Sequence, residues 1–308
     1  LGDISINSGS GADQIDFINT GISNTVNINA GEDTARVDIT LQGQMNNFRL
    51  DADNGIDALT MLVEGTVLSD DGITAAIIID LGPQDASVVD LTVADSALIE
   101  SMTLETGPND DDITLSLSGN IVAINNNDYA FNLLTSDGQD EIKITFIGNI
   151  EGSYLNGGAN ADNYQLKFYG TATGDINIVD TIARDENSAG NSLVISTQDD
   201  ADVDDFFLFR TDLLYRYDVQ QRIDYQGFTA LSLSTYGGND SFVFDDTETL
   251  ITVDAGKGDD SFQVGQVFES ARDVNSGLVS GDTFLTVLTT QGYLSNGVSA
   301  ATTLIGGD

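Results

Sequence analysis

The sequence predicts an all-β protein, a parallel β-helix (β-solenoid) with irregular coils of about 20–29 residues. Three observations carry this reading. A glycine- and aspartate-rich turn phrase recurs along the chain. Short runs alternate apolar with polar residues between Gly, Asn, Asp and Ser, as strands with one buried face do. No segment sustains a helical period over ten residues. The phrase is clearest in Gly237-Gly238-Asn239-Asp240-Ser241-Phe242-Val243-Phe244. It returns twenty residues later as Gly256-Lys257-Gly258-Asp259-Asp260-Ser261-Phe262-Gln263-Val264. Gly238 and Gly258 permit positive φ without steric cost, and Asp and Asn bond their own turn backbone.

Taken in order, residues 1–205 read as strand, turn and strand throughout. Alternation is plain in Ile15-Asp16-Phe17, Val26-Asn27-Ile28, Val37-Asp38-Ile39, Ile113 to Leu117, Ile142-Lys143-Ile144 and Leu193-Val194-Ile195. The acids of the turn phrase, Asp13, Asp33, Asp57, Asp85, Asp111, Asp140 and Asp162, are spaced by 20, 24, 28, 26, 29 and 22 residues. Gly190-Asn191-Ser192-Leu193 is a degenerate copy that lacks the acid. Residues 206–235 are aromatic and carry Arg210, Arg216 and Arg222. They read as longer strands or an insert, either a binding patch or an aromatic core with solvated arginines. Residues 236–308 resume the coils, with a further copy around Asp282. Leu1 and the closing Ile305-Gly306-Gly307-Asp308 lead us to expect a window of a larger protein.

Composition narrows the function. Apolar residues make up 40% of the 308, and only 2 are proline, so the chain can bury a core. Ten basic against 50 acidic residues give a formal net charge of -40. Such a chain repels nucleic acid and anionic membrane surfaces and attracts cations. The absence of cysteine excludes disulfides and thiol chemistry. The absence of histidine removes the commonest general base and transition-metal ligand. No run approaches the ~18 apolar residues of a membrane-spanning helix.

In a parallel coil stack, equivalent aspartates would lie ~4.8 Å apart. Two such charges repel by roughly 3 kcal/mol at an effective dielectric of about 20. Calcium between coils would relieve this, since carboxylates, backbone carbonyls and Asn amides are the hard oxygen donors it takes. The candidate ligands are Gly237, Asn239, Asp240, Asp254, Gly256, Gly258, Asp259 and Asp260 in the central pair, with Asp137, Asp140, Asn160 and Asp162 in a second pair. Bare turn chemistry accounts for the same residues without a metal.

The central phrases and Gly157 to Tyr164 resemble the nonapeptide of RTX (hemolysin-type) calcium-binding repeats. The resemblance implies calcium as cofactor, secretion, and an extracellular or bacterial cell-surface location. Those nonapeptides run in tandem, whereas the copies here stand apart, so an ion would lie between coils. The expected function is a structural or adhesive repeat segment of a surface filament, surface layer or giant adhesin. It would assemble with like subunits or continue in a larger chain, without catalysis. Two alternatives stay open: a carbohydrate-active β-helix enzyme using paired carboxylates, and a calcium-dependent folding and export region of a secreted toxin.

Overall fold

Alternation sets the strands, and their inward residues set the sheets. In Val88–Val93, Asp112–Leu117, Glu141–Phe146 and Asn163–Phe168 every second side chain is buried and the ones between face outward. In a computed structural model, described for residues 2–31, 36–52, 58–83, 86–124, 129–170, 172, 174–182, 190–197, 203–245, 247–265, 286–289, 292–295 and 297–307, the chain is all-β with long parallel sheets, consistent with a β-helix-like fold. Among the described residues there is no helix, hence none long and apolar enough to cross a membrane.

Three sheets recur along the chain. The first has the order β1 (Ile4–Asn7), β3 (Thr25–Gly31), β6 (Asn47–Ala52), β9 (Ile77–Asp80), β12 (Met102–Glu105), β15 (Phe131–Leu134), β17 (Ser153–Asn160), β19 (Ile176–Ile182), β23 (Gln221–Gln226), β22 (Leu213–Arg216), β21 (Phe206–Arg210), β25 (Ser241–Phe244), β27 (Ser261–Val264). The second runs β2 (Gln14–Asn19), β4 (Arg36–Leu41), β7 (Ala58–Val63), β10 (Val88–Val93), β13 (Asp112–Leu117), β16 (Glu141–Phe146), β18 (Asn163–Phe168), β20 (Asn191–Ser196), β24 (Phe228–Ser234), β26 (Leu250–Asp254), β30 (Thr302–Ile305). A short third sheet holds β5 (Gln44–Met45), β8 (Thr66–Val67), β11 (Leu98–Glu100) and β14 (Asn120–Val122). Each circuit of the chain visits the first sheet, then the second, and up to β14 also the third.

Neighbouring circuits pair parallel and in register, for example Ile113 with Ile142 and Ile142 with Tyr164. Register partners are 22 residues apart at Gln14 and Arg36 and 30 apart at Ala58 and Val88. They are 38 apart at Ser192 and Ala230 and 51 apart at Ile251 and Thr302. The circuits therefore exceed the expected 20–29 residues where extra segments are spliced in. One such segment is the aromatic stretch: β21, β22 and β23 form an antiparallel trio inside the otherwise parallel first sheet.

The inward side chains form one apolar cluster that extends from Ile15 to Ala255 and draws on all three sheets. Aromatic rings stack along it from circuit to circuit, Phe146 on Phe168 at 5.2 Å and Phe207 on Phe242 at 5.9 Å. Leu208, Leu213, Tyr215 and Val243 make a second, smaller cluster with Phe206 and Tyr217 packed on it. Arg216 is not solvated as expected. It is buried, lies over the Phe168 ring at 5.3 Å, and donates from Nη1 to Gln221 Oε1 at 3.0 Å. Its Nη2 stands 3.8 Å from Asp205 and 3.7 Å from Asp218.

Leu166→Ala should lower the free energy of unfolding by about 2–5 kcal/mol through the cavity it leaves. Val194→Ala, on the outward side of the neighbouring strand and 39% exposed, should change it by less than about 0.5 kcal/mol. Urea titrations of both variants check this, and equal losses would contradict the inward–outward assignment.

Candidate functional site

Where the turn phrase is intact it closes a corner in seven residues, as from Asn156 to Asp162 and from Asp254 to Asp260. At its start, an Asn or Asp side chain at the strand end accepts the N–H of the residue two further on. Gly9 donates to Asn7 Oδ1 at 3.0 Å, Gly31 to Asn29 at 2.9 Å, Gly158 to Asn156 at 2.9 Å and Gly256 to Asp254 at 3.2 Å. The residue so held takes the left-handed conformation, with φ of 88° at Gly9, 71° at Gly31, 82° at Gly158 and 81° at Gly256. Ser136 and Tyr236 occupy the same place with φ of 58° and 66°. Glycine is demanded twice over at Gly158: an added Cβ would lie 1.4 Å from the Ser136 carbonyl oxygen of the circuit before it.

At the end of the turn stand the aspartates. The Asp111 N–H donates to Asp140 Oδ1 at 2.9 Å, the Asp140 N–H to Asp162 Oδ1 at 2.8 Å, and the Asp162 N–H to Asn191 Oδ1 at 2.9 Å. Ser87 donates its N–H to Asp111 in the same manner. Each side chain thus reaches back one circuit. The residue just before reaches forward: the Gln139 N–H donates to Asp110 Oδ1 at 2.8 Å and the Asp259 N–H to Asn239 Oδ1 at 3.0 Å. Adjacent turns are clasped in both directions.

The predicted residues fall at two different corners. Asp140 and Asp162, with Asp137 bridged to Ala159 and Asn160 at a φ of 91°, sit where the chain enters the second sheet. Gly237, Asn239, Asp240, Asp254, Gly256, Gly258, Asp259 and Asp260 sit where it enters the first. There Asp205 donates its N–H to Asp240 Oδ1 at 2.8 Å, and Asp240 to Asp260 Oδ1 at 3.0 Å. The Gly238 N–H meets the Lys257 carbonyl, and the Cβ of a residue at 258 would strike the Gly238 carbonyl. Asp33, Asp57, Asp85 and Asp282 lie outside the described residues.

Sequence reasoning missed five participants. Asn191, taken as the degenerate copy, holds the acid's place and donates Nδ2–H to the Gly227 carbonyl at 2.9 Å. Asp205 heads the second corner. Thr106, Thr135 and Thr235, five residues before their aspartates, set hydroxyls against the Asp111, Asp140 and Asp240 carboxyls. That fixed Thr–Asp spacing is the signal that would have found them.

These carboxyls are buried: Asp111, Asp140, Asp162 and Asp240 expose 2% or less of their surface. Burial pushes the Asp140 carboxyl up to about 7, and raises Asp111, Asp162 and Asp240 as well. Asp205 rises by burial to about 6, with Arg216 pulling the other way. Tyr164 packs its hydroxyl beside Asp162 and Asp180, and burial raises it well above the ordinary phenol range.

Calcium fits this chemistry in kind, since carboxylate oxygens are among the hard donors it takes. Asp240 Oδ2 and Asp260 Oδ2 are buried oxygens with no hydrogen-bond partner among the described residues. Each carboxylate's Oδ1 is already taken by a backbone N–H. The two Oδ2 atoms would supply two of the six to eight oxygens of calcium coordination, leaving the rest to carbonyls or water. No group of three or more acids gathered for a metal occurs among the described residues. No family model, characterised protein or solved structure matches the chain.

Gly158→Ala should cost more than about 2 kcal/mol, left-handed strain plus collision with the Ser136 carbonyl. Gly170→Ala, at a φ of 56° with open space around it, should cost about 1–2 kcal/mol from strain alone. Chemical denaturation of the pair reads the difference, and equal costs would contradict tight stacking of the corners.

Proposed function

We propose that the chain is a β-solenoid segment with a structural or adhesive role, extracellular or at a bacterial cell surface. The observation that carries this is the in-register stacking of successive circuits over one apolar interior running from Ile15 to Ala255. Circuits that contact only their neighbours build a rod with long lateral faces and no single focal cleft. The corner acids are pinned to backbone amides and buried, so they serve cohesion and are poorly placed to deliver protons to a substrate. The outer strands of the stack offer hydrogen-bonding edges. Like subunits or a continuing chain would pair with them. The -40 charge argues against nucleic acid as a partner.

A second reading is a calcium-dependent folding and export module. The buried Oδ2 atoms of Asp240 and Asp260 favour it, and water or added carbonyls would have to complete the ion's shell. The resemblance to RTX repeats supports secretion under either reading.

Removing divalent ions separates the two. A core-held rod should keep its β circular dichroism in EGTA and melt within about 2 °C of the calcium-loaded sample, whereas unfolding in EGTA would overturn the scaffold reading for the export module. Small-angle scattering should give an elongated particle; a compact one would sink the solenoid.

A further inference from the structure

Resting on the adhesive reading above, we propose that the outward face of the second sheet binds a uronate-bearing saccharide where β16, β18, β20 and β24 pass. Lys143 and Lys167 take a sugar carboxylate there, and Tyr236 takes the face of a sugar ring. Charge singles the place out. The chain has 50 acidic residues, and the outward rows of the earlier strands show them at Asp16, Asp38, Asp90, Asp112 and Glu141. Beyond Glu141 the acids stop. Among the described residues, no outward position of β18, β20 or β24 is acidic. They return at Asp254, the register partner of Ser234. Two of the chain's three lysines, Lys143 and Lys167, stand in this gap.

Register sets their geometry. Lys143 pairs with Gln165 and Thr145 with Lys167, so the lysines lie on a diagonal with Cα atoms roughly 8 Å apart by strand spacing and rise. Thr145, Lys167, Ser196 and Ser234 form one in-register row across four circuits. Along that row and the Gln165 amide runs a shallow groove of 280 Å³. A saccharide chain lying along it meets a hydrogen-bonding side chain at every circuit. Lys143 lies 3.4 Å from Asp112 and 3.5 Å from Glu141, in exposed ion pairs that yield to another carboxylate at little cost. Lys167 lies over the Tyr169 ring at 5.0 Å, which restrains its ammonium. Two ammonium groups match the two oxygens of one carboxylate. The nearby Asp112 and Glu141 oppose the third oxygen that a sulfate ester would bring. A second copy of this chain is a poorer occupant, because it too carries -40 and would be repelled everywhere outside the gap.

Tyr236 closes the groove two residues beyond Ser234 and is 43% exposed. It holds the left-handed place of its corner, with φ of 66°, where Gly9, Gly31, Gly158 and Gly256 stand in other circuits. A bulky residue there meets a steric penalty that glycine avoids, so the needs of the turn do not account for the ring. Strain of this kind is kept where a side chain serves a site. An exposed aromatic face beside hydroxyls and an amide suits the apolar face of a sugar ring.

The test titrates the full chain calorimetrically with an oligogalacturonate, a sulfated dextran and neutral dextran, in EGTA so that calcium cannot bridge acid to acid. The oligogalacturonate should bind at least about tenfold more tightly than either dextran. Lys143→Ser with Lys167→Ser should weaken that binding at least about tenfold. Arg49→Ser, which removes a positive charge from the outward face of the first sheet, should leave it unchanged. Tyr236→Gly should weaken it about three- to tenfold and melt no lower than the wild type, because glycine suits the left-handed corner. A folded chain that binds no oligogalacturonate, a dextran that binds as well, or binding untouched by the lysine and tyrosine variants overturns the proposal. So does a salt-sensitive dimer that the lysine variant abolishes with no saccharide bound. Small-angle scattering of the same samples keeps the two readings apart: an elongated, folded particle that binds nothing removes the ligand and leaves the scaffold.

Discussion

The constraint on which this structure depends is the satisfaction of backbone N–H groups at the corners. Within the sheets, parallel pairing takes care of donors and acceptors. At a corner the chain leaves the ladder while still packed against the circuits before and after, so its amides are shielded from water and need partners. Three side-chain devices supply them: the Asx residue that closes the left-handed turn, the residue that reaches forward, and the aspartate that reaches back. All three are local in sequence terms, and two of them are long-range in effect because they bind a different circuit. Short polar side chains suit this because they place an acceptor about one strand spacing from their own Cα.

Seen this way, aspartate is selected for an acceptor on a short arm, and its charge is a consequence to be managed. The formal charge of -40 therefore mixes two populations. Half-buried acids on the outer face such as Asp38 and Asp51 pair with Arg36 and Arg49 in surface contacts worth little each. The corner acids are buried, and in the second corner Arg216 stands 3.8 Å from Asp205.

Much of the fold is legible in the sequence. Alternating apolar residues in runs such as Asp112–Leu117 mark strands with one buried face, and the recurring Gly–Asp phrase marks stacked turns. Register is harder to read. Ser87, and not an acid, lines up with Asp111, because the turn before it is one residue longer. Counting aspartates misaligned that circuit, where counting from the strand-end Asx through the turn would have corrected it. Arg216 was unreadable for a different reason. Its burial comes from rings contributed by Phe168 and Phe207, the former far away in sequence, and no local pattern announces a guanidinium sandwiched there.

The two corners show what the turn requires and what it does not. In residues 106–162 it leads from the first sheet into the second; in residues 235–260 it leads from the second into the first. Between them the corner from β23 to β24 shrinks to Gly227 alone, and the first column has to stop. A column whose members each accept from the circuit before needs a last member that can bind the circuit after without another aspartate to receive it. Asn191 does so, with its Nδ2 donor aimed at the Gly227 carbonyl. The amide at that site is therefore the terminator of the column rather than a decayed copy of its motif. The turn is a portable part that needs only a strand end, one left-handed residue and a like neighbour, so it can change corners within one chain.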